Sequence, residues 1–169
     1  MLTDDGKRYA GIDPCEICNG VGFGVTLFTQ GCPNHCEGCH NPSTWDPSGG
    51  MPFDENAMNL LVRRCADPNI RRLTISGGEP FTSLITPYVS LWFKLNYPHK
   101  KLWVYTGFLY EDIVKESVNR LEDIDVLVDG PFVLTERDIT LAFRGSRNQR
   151  IIDVPASLQA GHVVELEVT

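Results

Sequence analysis

Three cysteines crowd into one short segment of this 169-residue chain: Cys32, Cys36 and Cys39. A CxxxCxxC spacing lets three thiolates converge on one metal centre, and soft sulfur ligands select iron–sulfur clusters, zinc or Cu(I). Three cysteines on a cubane cluster leave one iron open to a substrate. Zinc offers a competing set. Cys15-x-x-Cys18 and Cys36-x-x-Cys39 stand 17 residues apart, the interval of zinc ribbons, although that choice leaves Cys32 unused. A purely structural role explains less, because the segment is polar and buried thiols prefer apolar company. Cys65 falls on the apolar face of a predicted helix and reads as core. Cys15 and Cys18 read equally as incidental thiols of a turn or as an auxiliary metal or redox pair.

A second group is Ser76-Gly77-Gly78-Glu79-Pro80. Adjacent glycines after a buried strand permit close backbone approach, and Glu79 adds a carboxylate able to pair with an ammonium. Alone, the segment is equally an ordinary strand-to-helix turn. Asp129 ends a buried strand, where an unpaired carboxylate is costly, so a structural network or a ligand must account for it; the reading leans to the ligand. Arg144, Arg147 and Arg150 form the one concentration of positive charge. Such a loop is ordinarily solvated, but it can dock an acidic surface or anchor a carboxylate. His35 reads as a loop residue, and Trp45, Trp92 and Trp103 as packing residues.

These groups need elements to hold them. Residues 24–29, 73–75, 101–105 and 126–128 are short, apolar and β-branched, as strands are. Between them lie helical patterns. Asp54 is placed to cap a helix bearing Met58, Leu61, Val62 and Cys65, and Thr86-Pro87 to open one with Tyr88, Val89, Trp92 and Leu95 on one face. A third helix carries Leu109, Ile113, Val114 and Val118. Residues 151–152 and 162–168 look extended. Strand and helix in alternation predict an α/β fold with a mainly parallel sheet, and the length excludes a full eight-unit barrel, so a shortened, open βα barrel is expected. Cys32 to Cys39, Ser76 to Pro80, Thr106-Gly107 and Asp129-Gly130 each begin where one of the four strands ends. In parallel α/β folds that edge carries the active site.

Composition narrows the possibilities. With 42% hydrophobic and 22% charged residues the chain is globular, and residues 1–169 are expected to form one domain. A net charge of −7 argues against nucleic acid or an anionic membrane held by a basic surface. No apolar run reaches the length of a membrane span, and residues 1–9 are too polar for a signal peptide, so a cytoplasmic location is expected. In that reducing compartment the six cysteines are metal ligands, catalytic thiols or core rather than disulfides.

CxxxCxxC after the first strand and Gly-Gly-Glu-Pro after the second resemble the radical S-adenosylmethionine enzymes. Asn19-Gly20-Val21-Gly22 and residues 27–32, 39–45, 105–108, 125–132 and 144–150 resemble more closely the branch that activates anaerobic ribonucleoside-triphosphate reductase. The likeness covers a motif-bearing core of residues 19–153. It implies a trimmed radical barrel, a [4Fe–4S] cluster on Cys32, Cys36 and Cys39, and S-adenosylmethionine on the fourth iron. Gly38, Cys39, His40, Gly77, Gly78, Glu79, Thr106 and Asp129 would form the cofactor site, the Gly-Gly-Glu turn meeting the methionine amino group. An electron from a donor such as flavodoxin would cleave S-adenosylmethionine to methionine and a 5′-deoxyadenosyl radical. That radical would take hydrogen from a glycine Cα of the large reductase subunit. The chain departs from the pattern at Gly38, where many members carry an aromatic residue, and at His40, where this branch often does. Other classes consistent with the motifs are an activator of another glycyl-radical enzyme, a small-molecule enzyme resembling 7-carboxy-7-deazaguanine synthase, and a zinc-binding interaction module.

Overall fold

A computed structural model describes residues 6–168. Among these residues seven strands build one sheet: β1 (Arg8–Glu16), β2 (Gly24–Thr29), β3 (Met51–Pro52), β4 (Arg72–Gly77), β5 (Lys101–Tyr105), β6 (Val126–Asp129) and β7 (Arg150–Asp153). Their spatial order is β3-β1-β2-β4-β5-β6-β7, so the sheet is open. β2, β4, β5 and β6 run parallel, as expected. The flanking strands do not: β1 and β3 extend one side antiparallel, and β7 pairs antiparallel with β6.

Parallel neighbours require crossovers, and α1 (Glu55–Cys65), α2 (Ile85–Asn96) and α3 (Tyr110–Ser117) supply them; α4 (Val154–Ala160) follows β7. Leu61 of α1, Phe93 of α2, Ile113 of α3 and Val154 of α4 join one core with Leu27, Ile75, Val104 and Leu127 of the strands. All four helices therefore cover the same face. Period-two alternation turns Thr26, Thr74 and Trp103 to the other face, where Trp103, Val126, Val128 and Ile151 form a smaller cluster. Among the described residues no helix is long and apolar enough to cross a membrane.

Asp54 caps α1, its carboxylate accepting the Ala57 amide at 3.0 Å, and Cys65 is buried in the core. Helix α2 corrects the sequence reading. It starts at Ile85, whose amide donates to Ser83 Oγ, so Pro87 falls inside the first turn, where a missing N–H is tolerated. The buried stripe is Ile85, Val89 and Phe93, whereas Tyr88 and Leu95 are 43% and 73% exposed. The segment is apolar on both sides, so its periodicity does not fix its phase. Strand β1 carries no clean alternation because Gly11, Asp13 and Pro14 interrupt it and most of it is half-buried. Helix α4 was also not foreseen; Asp153 caps it through the Ala156 amide and Gly161 ends it at φ 73°. The segment after it runs beside β7, joined by Asp153 N to Val164 O and Leu166 N to Ile151 O, without forming a full strand.

Candidate functional site

The carboxyl ends of β2, β4, β5 and β6 open on one cavity of about 380 Å³. Cys32, Cys36, Cys39 and His40 line it, together with Gly77, Gly78, Glu79, Thr106, Gly107 and Gly130. Two expected site residues stand apart. Gly38 is exposed on the cysteine loop, next to Leu134 and Phe132. Asp129 is fully buried and does not reach the wall. Its carboxylate accepts the Tyr110 amide at 2.8 Å and two bonds from the Arg150 guanidinium, so a structural network accounts for it.

The cysteine loop is pinned at both ends. Gly31 and Cys32 donate their amides to the carbonyls of Thr44 and Trp45, and the Gln30 side chain donates to those of Ser43 and Asp46. Within the loop, the Cys39 amide closes a turn on the Cys36 carbonyl. His35 adopts φ 45° and lays its ring 4.7 Å from that of Trp45. Backbone amides aim at the sulfurs: Asn41 N lies 3.3 Å from Cys39 Sγ. Burial pushes the Cys32 thiol up, opposed by the amides of Asn34 and His35. A half-buried thiol shifted in this direction is helped to ionise by a positive partner, and a metal centre is one. The His40 ring sits 5.7 Å from Phe132.

Glu79 ties three strand ends together. It is 1% exposed. Oε1 accepts Thr106 Oγ1 at 2.7 Å and the Phe81 amide at 3.1 Å; Oε2 accepts the Gly107 amide at 2.8 Å and Asn34 Nδ2 at 3.1 Å. A carboxylate has about four acceptor directions. All four are taken by neutral protein donors, so Glu79 offers a ligand its negative charge rather than a free lone pair. Burial nevertheless raises its pKa above the ordinary value, the four hydrogen bonds working against that rise.

Of the three loop arginines, Arg147 pairs with Asp138, and Arg150 with Glu111 and Asp129. Arg144 alone lines the cavity. The zinc-ribbon set does not assemble: Cys18 lines the cavity but Cys15 does not, and both are exposed. Among the described residues no three Cys, His, Asp or Glu side chains are placed to hold one metal ion. A cubane attaches its cysteines to separate irons, so three thiols facing a common cavity, with amides directed at two of the sulfurs, fit a cluster. Trp45 Nε1, on the same wall, is a buried donor without a partner. Sequence reasoning gave no cavity role to Asn34, Tyr105, Phe132, Phe143 or Gln149. Tyr105, Phe132 and Gln149 belong to segments that carry the family likeness, which was the available signal.

Residues 18–152 match the family described as "4Fe-4S single cluster domain". The chain is 38% identical over 150 residues to the anaerobic ribonucleoside-triphosphate reductase-activating protein of Haemophilus influenzae, covering 85% of this chain and 96% of that one. The protein of the same name from Enterobacteria phage T4 is 37% identical over 150 residues, 85% of this chain and 92% of its own. That of Escherichia coli K12 is 35% identical over 141 residues, 80% and 92%. With its cysteine loop, its glycine-rich strand ends and this extent of likeness, the chain belongs to the family of anaerobic ribonucleoside-triphosphate reductase-activating proteins.

Proposed function

We propose that the chain activates an anaerobic ribonucleoside-triphosphate reductase by generating a glycyl radical on its large subunit, with a [4Fe–4S] cluster and S-adenosylmethionine as cofactors. The observation that carries this reading is the meeting of the three loop thiols with the Glu79 turn on one cavity at the parallel strand ends. Cys32, Cys36 and Cys39 would hold the cluster. Bound there, it would supply the electron, drawn from a donor such as flavodoxin, for reductive cleavage of S-adenosylmethionine to methionine and a 5′-deoxyadenosyl radical.

The protein's own contribution is placement. Glu79 fixes the strand ends and puts a negative charge beside the methionine amino group. Gly77 and Gly78 let the main chain approach, the Thr106 hydroxyl orients Glu79, and His40 with Phe132 offers ring surface to the adenine. The open sheet supports reading residues 1–169 as a single trimmed radical S-adenosylmethionine barrel, with room for a glycine-bearing loop of a large partner. A cytoplasmic setting suits three free thiols on one cavity.

The test is anaerobic reconstitution with iron and sulfide, followed by reductant, S-adenosylmethionine and the cognate reductase. A glycyl doublet in electron paramagnetic resonance is expected. Cluster-loaded protein that never yields the doublet with its cognate reductase overturns the proposal.

A further inference from the structure

Of the six cysteines, Cys15 and Cys18 are the two that stand exposed; Cys32, Cys36 and Cys39 are half-buried and Cys65 is buried. The proposed function uses neither of the exposed pair. A metal does not account for them. Two thiolates fall short of the four ligands of a structural zinc site, and among the described residues no third Cys, His, Asp or Glu completes a set. Without a metal, the chemistry of a Cys-x-x-Cys pair is exchange between dithiol and disulfide.

Backbone shape decides whether such a pair can close. In a continued strand, Cα atoms three residues apart stand about 10 Å from each other, beyond the roughly 7 Å limit of a disulfide. Strand β1 ends at Glu16 and the chain bends over residues 17–20, so the bend falls between the two cysteines. Glu16 holds it. Oε2 accepts the amides of Cys18 and Asn19, while Oε1 accepts Thr26 Oγ1 and pairs with the fully buried Arg72. Beyond the bend, the Asn19 carbonyl accepts Thr74 Oγ1 at 2.9 Å and Gly20 packs on the Arg72 and Trp103 side chains. On the other side, the Cys15 amide donates to Asp13 Oδ1 at 3.3 Å. The backbone carrying the pair is thus fixed while both thiols stay open to solvent. Cys18 lines the cavity and Cys15 does not, so a bond between them would tie part of the cavity wall to the end of β1.

We infer that Cys15 and Cys18 form a thiol–disulfide exchange site that takes small-molecule disulfides such as glutathione disulfide. One protein thiolate attacks a sulfur of the reagent, giving a mixed disulfide and releasing one glutathione thiolate. The second cysteine attacks the protein sulfur of that mixed disulfide and releases the other. Two protein thiols and one glutathione disulfide become one protein disulfide and two glutathiones, the two thiol protons passing to the released thiolates. The site is independent of the S-adenosylmethionine reading.

The experiment equilibrates cluster-loaded protein, without air, in mixtures of glutathione and glutathione disulfide, traps free thiols with an alkylating reagent and weighs the peptide that carries both cysteines. The wild-type peptide is expected to become two hydrogens lighter, unalkylated and free of glutathione, and dithiothreitol should restore both thiols. Cys15→Ser and Cys18→Ser should each carry one glutathione instead, and should need about tenfold more glutathione disulfide for the same extent of reaction, because no second thiol stands at high effective concentration to complete the exchange. Cys65, buried and with its thiol pushed up to about 12, is the internal control and should stay unmodified. Wild-type protein that takes glutathione without forming the internal bridge, or that remains fully alkylated where the serine variants react, overturns the inference. Failure to load iron and sulfide would count against the reading of Cys32, Cys36 and Cys39 alone, and the same peptide measurement on the cluster-free protein would still decide the bridge.

Discussion

Gly78 and Gly31 meet backbone to backbone: a Cβ on Gly78 would stand 2.3 Å from the Gly31 carbonyl oxygen. The same carbonyl accepts the Glu79 amide at 2.8 Å, so this contact seats the cysteine loop on the end of β4. The second glycine of the turn is required by the protein's own packing, whatever it also allows a ligand to do.

Gly78→Ala should therefore displace the cysteine loop. Overpacking of this kind costs about 1–3 kcal/mol, and the clash is with backbone that cannot rotate away. Reduced stability in urea is expected, together with loss of iron binding on reconstitution. Gly11→Ala is the control, since nothing lies within 4 Å of its added methyl group. That variant should match the wild type in both measurements.

The cysteines should separate cleanly in an anaerobic iron and sulfide assay. Cys32→Ala, Cys36→Ala and Cys39→Ala are each expected to lose most of the bound iron and the visible absorbance of the cluster. Cys15→Ala and Cys18→Ala should retain both, because Cys15 lies off the cavity and both thiols are exposed. Loss of metal in the Cys15 variant would instead favour the ribbon set.

Glu79→Gln replaces one acceptor oxygen with an NH2 group among four donors. At least one donor must then face another donor in a buried site, at a cost of about 1–3 kcal/mol. Lower stability of the cluster-free protein is expected, along with weaker S-adenosylmethionine binding by the loaded protein. Unchanged stability would contradict the keystone role given to this side chain.

Glu16 and Arg72 make a pH-dependent contribution on the opposite face of the sheet. Arg72 is fully buried, with NH1 2.7 Å from Glu16 Oε1 and 2.6 Å from Thr74 Oγ1. Burial raises the Glu16 pKa, but hydrogen bonds from Arg72 and Thr26 outweigh it and hold the carboxyl below its ordinary value of 4.5. A depressed folded-state pKa means stability that is complete above about pH 4.5 and is lost as the pH falls through the folded value. Urea midpoints measured between pH 7 and pH 3 should fall less steeply in Glu16→Gln than in the wild type. Arg72→Met, which strands the carboxylate, should cost about 3 kcal/mol or more at pH 7.

Much of this arrangement was legible in the residues. Strands β2, β4, β5 and β6 are buried and densely apolar or β-branched, and each hands over to a glycine-bearing segment, so both the sheet centre and the shared edge could be read. Edges were harder. β1 is half-buried and broken by Gly11, Asp13 and Pro14, and the sequence does not show its pairing with β2. Asp129 was read toward the ligand because burial of a carboxylate is visible in sequence while its partner, Arg150, lies 21 residues away. The three arginines looked alike for the same reason. Only the positions of Asp138, Glu111 and Asp129 distinguish the two paired ones from Arg144.

The way the cysteine loop is seated also bears on the order of assembly. The surface it rests on is made by Gly78, Glu79 and Gly107, residues that come together only after β4 and β5 have aligned. A change that weakens the pairing of β4 with β5 would therefore reach the cysteine loop without touching a cysteine.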